Sequence, residues 1–344
     1  MVEVLEIGTA RAARGELGTG TVRGIQLSCG TWVDIPVILL NGSDDGPTLL
    51  ITSTEHGDEI QGIEVIRQVT RHRVDPKMLK GAIIAVPVSN PLAFMHHLYR
   101  SWIDNLDVSK VDAATPQDAP TTGLLANAIW EGVLKKVKID MRINFHCNAL
   151  STALVYQGID IRHPKTRPTI EKMAKAFDVT SVYRGEEDAG VPEDAPSTLA
   201  NLSHRHGIAT LSVELIEGGY ISDPSTTVGV RGVLNVMKAF DMIPGELEPQ
   251  TGIPIVRGRC RYHKMVRCTR GGIIHPTKTP GEFIKKGEVI AHIFDVWGEE
   301  VEAVKMPIDG YIWAYPLGMQ LGTAGRVQTV NSGDDVAYTF IKEE

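Results

Sequence analysis

Long apolar runs are missing from this 344-residue chain. None approaches the roughly 20 residues that span a bilayer, and the opening segment MVEVLEIGTARAARGEL holds no apolar leader stretch. The expectation is a soluble, cytoplasmic protein with no membrane partner. Basic runs are missing too, and the net charge is −7, so the clustered positive surface that phosphate backbones require is not on offer and nucleic acid is excluded as a partner. Cysteine is sparse: Cys29, Cys147, Cys260 and Cys268, with a last pair whose spacing matches no common zinc or redox pattern. Such thiols are expected to stay reduced. No internal repeat or low-complexity tract interrupts the chain.

What is present is ordinary globular composition, with 42% hydrophobic and 22% charged residues. A chain of this length exceeds what one hydrophobic core usually serves, so two units are expected. The composition shifts at IPGELEPQTGIP (243–254) from helical periodicity to Pro and Gly. This predicts one domain over 1–248 and a β-rich one over 249–344.

Within the first unit, TWVDIPVILL and TLLITS read as strands around the turn NGSDDGP, and Ile60, Ile63, Ile66 and Val69 then recur at helical spacing. Strands follow at GAIIAVPV (81–88), MRINFH (141–146) and IATLSVEL (208–215), with helices near 124–138, 168–177 and 229–240. Alternation of this kind predicts an α/β fold, a mixed sheet flanked by helices. In such sheets, sites gather at the carboxyl ends of strands.

His56, Glu59, His146 and Glu214 all stand at or just past such ends. Two imidazoles and a carboxylate make a three-ligand set for a catalytic zinc, leaving one position for water or substrate. A metal there acidifies water and polarises a carbonyl, and Glu214, ending an apolar strand, is placed to serve as a base. Alone, each residue has a plainer explanation: His56 and Glu59 as a solvated helix start, Glu214 as a sheet-end ion-pair partner with Glu217 competing for its role. Their combination favours the metal.

These segments resemble the succinylglutamate desuccinylase and aspartoacylase family, a branch of the zinc carboxypeptidase-like hydrolases. The likeness is carried by GPTLLITSTEHGDEIQG, SNPLAF (89–94), the strand ending NFH, PSTLANLSHRHGIATLSVEL and the tail. It implies one Zn²⁺ per chain on His56, Glu59 and His146, with Glu214 as general base and proton shuttle. It also implies a zinc carboxypeptidase-like fold with a barrel-like C-terminal unit, and hydrolysis of the amide bond of a small N-acyl amino acid or related amide. By the same resemblance Arg100 polarises the scissile carbonyl, while Asn90, Ser109 and Lys110 contact substrate. Two departures stand out. Ser109-Lys110 occupies the place of the family's usual Asn-Arg, exchanging a forked guanidinium for a point charge, and Cys147-Asn148-Ala149 follows His146 in place of smaller residues.

Cys147 is expected on the face opposite His146, as a buried thiol. His96, His97, His204 and His206 remain candidates for substrate contacts, with a surface or supporting role the favoured reading of each. Lys305 does not fit a carrier lysine, because the expected hairpin tip DVWGEE (295–300) contains none; a covering or homo-oligomerising role suits the tail better. A carboxypeptidase-like or cyclic-amide hydrolase, and a catalytically silent metal-binding scaffold, are the alternatives.

Overall fold

A computed structural model describes residues 3–156, 165–183, 196–317 and 328–343. Four strands at the centre, Lys80–Val86, Asp44–Thr52, Met141–Cys147 and Ala209–Leu215, lie side by side and parallel. Most of their residues are apolar, as parallel strands covered by helices tend to be, although Met141–Cys147 and Ala209–Leu215 carry polar residues on one face. Leu49, Ile51, Ile143, Phe145, Cys147, Leu211, Val213 and Leu215 face one core, which the helices Gln61–Gln68, Arg167–Phe177 and Asp223–Ala239 cover. Leu50, Ile84 and Val86 face a second core under the helix Thr121–Ile129 and the N-terminal strands.

The sheet continues in both directions to thirteen strands. Towards the N-terminal side it adds Trp32–Asn41 and Glu16–Gln26, both antiparallel. Towards the other edge, Ala209–Leu215 pairs antiparallel with Leu154–Tyr156, which pairs parallel with Thr180–Tyr183, which pairs parallel with Cys260–Arg267. Hydrogen bonding therefore runs across the position near residue 248 where composition changes. Beyond it the C-terminal region is all-antiparallel, and a separate four-stranded sheet there joins Glu300–Lys305, Val289–Phe294, Gly272–Pro276 and Thr329–Val330. The fold is the mixed sheet flanked by helices, with a β-rich C-terminal region, that the sequence pattern implies.

Several boundaries differ for identifiable reasons. The last long helix starts at Asp223 rather than 229, because Pro224 sits in its first turn, where the missing N–H costs nothing. The strand expected to begin at Thr48 begins at Asp44, extended through a bulge between Asp44 and Thr48. The helix expected over 124–138 starts at Thr121 and is α-helical to Ile129, then continues as a wider π turn over Trp130–Leu134. An N-terminal hairpin, Val4–Ile7 with Ala10–Ala13, was not anticipated. Among the described residues no helix is long and apolar enough to cross a membrane.

Candidate metal centre and its cleft

The segment His56–Glu59 leaves the carboxyl end of Asp44–Thr52 and is folded tightly before the helix at Gln61. Gly57 explains part of that tightness: a Cβ there would lie 2.2 Å from the carbonyl carbon of Ala93. Its N–H donates to the Leu98 carbonyl at 2.8 Å. Gly62 does the same for the helix, since a Cβ would fall 2.7 Å from the Cβ of Phe145 on the His146 strand. Thr54, at φ 56°, takes a left-handed conformation just before the segment, a form of backbone strain that concentrates at functional sites.

Strand register brings the remaining residues together. Glu214 is paired with His146 across two parallel strands, so their side chains share one face. Leu154 is opposite Glu214, and Tyr156 is opposite Ser212, on the same face.

At the centre, one ligand atom from each of His56, Glu59 and His146 lies within 4.8 Å of the others. His56 Nδ1 is 2.8 Å from Glu59 Oε1 and His146 Nδ1 is 2.9 Å from Glu59 Oε2, so both Nδ1 atoms turn towards one carboxylate. His56 Nδ1 is buried without a well-aligned hydrogen-bond partner, which is costly for a buried polar atom. A divalent cation between these atoms would satisfy it, and an N₂O donor set suits zinc geometry. The residues present therefore fit such an ion.

The far nitrogens have their own supports, as metal-binding histidines usually do. His56 Nε2 is 3.3 Å from Asp107 Oδ1, and the ring stacks on Tyr99 at 3.7 Å. His146 Nε2 is 2.7 Å from the Asn144 amide and 3.5 Å from Glu55 Oε2. Glu55 in turn accepts from Arg142 Nη2 at 2.7 Å, with both side chains buried. Burial works to raise the Glu55 carboxyl, but Arg142 and the two imidazoles outweigh it and hold it below its ordinary range. Burial likewise opposes ionisation of Asp107, and hydrogen bonds from His56 and Ser109 overcome it.

Glu214 titrates oppositely. Burial is the largest cause, and Glu59 adds to it against the imidazoles and the Asn148 hydrogen bond, pushing the carboxyl up to about 7. Asn148 Nδ2 donates to Glu214 Oε2 at 3.0 Å, which gives a purpose to the unusual Cys147-Asn148-Ala149 run. Such a value suits a group that must both take and give a proton near neutrality.

These groups open on one cleft of about 620 Å³, whose walls include His56, Glu59, His146, Glu214, Arg100 and Lys110. Arg100 Nε is buried there without a partner among the described residues. Asn90 and Ser109 stand behind the wall. Asn90 is fully buried, its Oδ1 accepting from Ala93 N and Ser101 Oγ and its Nδ2 donating to the Glu55 carbonyl. Ser109 donates from both N and Oγ to Asp107. These hydrogen bonds shape the segments bearing His56 and Asp107. Glu217 is outside the cleft walls and is hydrogen-bonded by the Tyr220 hydroxyl. Gly219 donates to the Asp58 carbonyl, bracing the His56–Glu59 segment.

Cys147 is buried in the opposite core, where burial raises its thiol well above the ordinary range. All four cysteines are unpaired. His96, His97, His204 and His206 are absent from the cleft walls. The exposed tip of the Val289–Phe294 and Glu300–Lys305 hairpin carries Val296 and Trp297.

The sequence reading missed Glu55, Asp107 and Arg142 as supports. Arg142 had a signal: alternation of Arg142, Asn144 and His146 along an apolar strand puts a cation on a buried face, which demands a buried anion. It also missed five aromatic cleft residues, Tyr99, Tyr156, Tyr262, Trp313 and Tyr338.

Comparison with known proteins places this site in a hydrolase family acting on amide bonds. A family profile described as the succinylglutamate desuccinylase/aspartoacylase catalytic domain matches residues 45–240. The chain belongs to that family. It is 24% identical over 299 residues, 84% of each chain, to an N-alpha-acetyl-L-2,4-diaminobutyric acid deacetylase of Halomonas elongata. Among solved structures, it is similar to a succinylglutamate desuccinylase/aspartoacylase from Rhodobacter sphaeroides, with TM-score 0.77, 25% identity and 95% and 96% of the two chains covered. It also shares the fold of the product-bound ectoine utilization protein EutE (DoeB) from Ruegeria pomeroyi, with TM-score 0.77, 20% identity and 94% of each chain covered.

Proposed function

We propose that the protein is a zinc-dependent deacylase that hydrolyses the amide bond of a small N-acyl amino acid. The observation that carries this reading is the convergence of His56, Glu59 and His146 around one point, beside Glu214 on the same sheet face and in the same cleft as Arg100. Membership of a deacylase family and likeness to an acetyl-diaminobutyrate deacetylase support it.

His56, Glu59 and His146 hold the metal, which when bound supplies the positive charge that acidifies water and polarises a carbonyl. Glu214 takes a proton from the attacking water as a C–O bond forms at the acyl carbon. Arg100 donates to the developing oxyanion, where a fixed cation is worth several kcal/mol (about 3–4 for a comparable donor). Glu214 then passes its proton to the amide nitrogen, the C–N bond breaks, and a carboxylate and an amine leave. Lys110 meets the substrate carboxylate as a point charge.

The test is a panel of N-acetyl, N-succinyl and N-aspartyl amino acids on zinc-loaded protein, with His56→Ala as control. Turnover lost with His56→Ala is the expected result. No turnover of any amide, or equal turnover in the variant, would remove the reading.

A further inference from the structure

Glu214 and the His56–Glu59 segment belong to strands that are not neighbours in the sheet. The order is Ala209–Leu215, Met141–Cys147, Asp44–Thr52, so the strand of His146 lies between them. Past the strand ends the two chain segments meet directly. Gln61, the first residue of the helix that follows Glu59, sends a fully buried side chain to the loop that follows Glu214. Its Nε2 donates to the Glu217 carbonyl at 2.9 Å and to the Tyr220 carbonyl at 2.5 Å, and its Oε1 accepts from Ser222 N at 3.2 Å. One amide thus ties three backbone groups of residues 217–222 to the helix behind the candidate metal ligands.

That loop has a reason to need holding. Glu217 has φ 130°, a conformation that a residue with a side chain rarely adopts and that persists only where its surroundings over-determine it. Only Leu215 and Ile216 separate it from Glu214. Both are fastened: the Leu215 carbonyl accepts from Ser151 Oγ at 2.9 Å, and Ile216 N donates to Ser225 Oγ at 3.2 Å. Gly219 N donates to the Asp58 carbonyl at 3.0 Å. The loop is therefore joined to the chain on either side of Glu59, by a backbone bond before it and by the Gln61 side chain after it.

We infer that Gln61 is a positioning residue for Glu214: it fixes where the proposed base stands relative to the His56–Glu59 segment. It acts through the loop, since Gln61 is absent from the cleft walls. This rests on the deacylase reading above and adds a residue to that site. An error of about 1 Å in the placement of a reacting group is enough to slow the chemical step about a hundredfold, and Gln61 guards against it without touching substrate.

The experiment compares the wild type with Gln61→Met, which keeps the length of the side chain and removes its hydrogen bonds. The substrate is whichever N-acetyl, N-succinyl or N-aspartyl amino acid the zinc-loaded wild type turns over fastest. In Gln61→Met kcat is expected to fall about 10–100-fold, with KM and the zinc content of the wild type kept, because Glu214 works only in the transition state. In the Glu214→Gln background the same substitution should lower the residual kcat less than about twofold, since a residue that acts through Glu214 has nothing left to act on. Gln61→Glu, which keeps the acceptor and loses the donor, is read in the same way where the methionine variant fails to fold. An unchanged kcat, a loss that multiplies in full with that of Glu214→Gln, or a loss of zinc would overturn the inference and leave the deacylase intact. No turnover of any of the three substrate types by the wild type would overturn both.

Discussion

The two faces of the strands Met141–Cys147 and Ala209–Leu215 differ as much as any two regions of the molecule. On one, Arg142, Asn144, His146 and Glu214 are polar or ionisable; on the other, Ile143, Phe145, Cys147, Leu211, Val213 and Leu215 are core. The strand period of two separates them by a single residue at each step. Chemistry can sit at the centre of the fold because rigid strands hold it and an unbroken apolar face anchors those strands from behind. The difference teaches that a substitution's effect depends on the parity of its position more than on its distance in sequence from His146 or Glu214.

The sharpest break of this contrast is His146→Ala. Metal content and turnover are both expected to vanish, as read by elemental analysis and an amide-hydrolysis assay. Glu214→Gln should keep the metal and lower kcat about 10²–10⁴-fold, the usual worth of a positioned base; near-normal turnover would remove Glu214 from the mechanism.

Beneath the ligands, Arg142→Leu strips the buried Glu55 of its partner. The expected cost is about 3–5 kcal/mol, measured by denaturant unfolding, and the double variant with Glu55→Gln should recover part of it. A milder effect is the pH profile. With its carboxyl pushed up to about 7 chiefly by burial, Glu214 is protonated below that value and unable to act as base. So kcat/KM should rise with pH along an acidic limb at or below about 7, since a nearby dication lowers it. Glu214→Gln should abolish the limb. The smallest effect tests the other face: Cys147→Ala should cost about 1 kcal/mol of stability and leave kcat nearly unchanged, although it neighbours a proposed ligand.

Residues at strand ends were the legible ones. His56, Glu59, His146 and Glu214 each follow or end an apolar run, where an ionisable side chain has little packing reason to be. Helix and strand types in the central sheet were legible for the same reason, through period. The supports were harder, because Glu55 and Arg142 are 87 positions apart and only the fold makes them a pair. Four aromatic residues of the cleft were hidden more deeply. Tyr156, Tyr262, Trp313 and Tyr338 come from four strands with no shared spacing, and each reads in sequence as an ordinary strand residue. Their meeting depends on the pairing of Thr180–Tyr183 with Cys260–Arg267 across the change in composition. Asn90 and Ser109, which likeness in sequence ties to substrate, are seen here hydrogen-bonded within the neighbouring segments.

Zinc titration by calorimetry, run on the wild-type chain and on Glu59→Ala, probes the central claim most directly. The account predicts one tightly bound zinc per wild-type chain and at least a large loss of affinity in the variant. Zinc binding of equal strength in both, or none in the wild type, would contradict it.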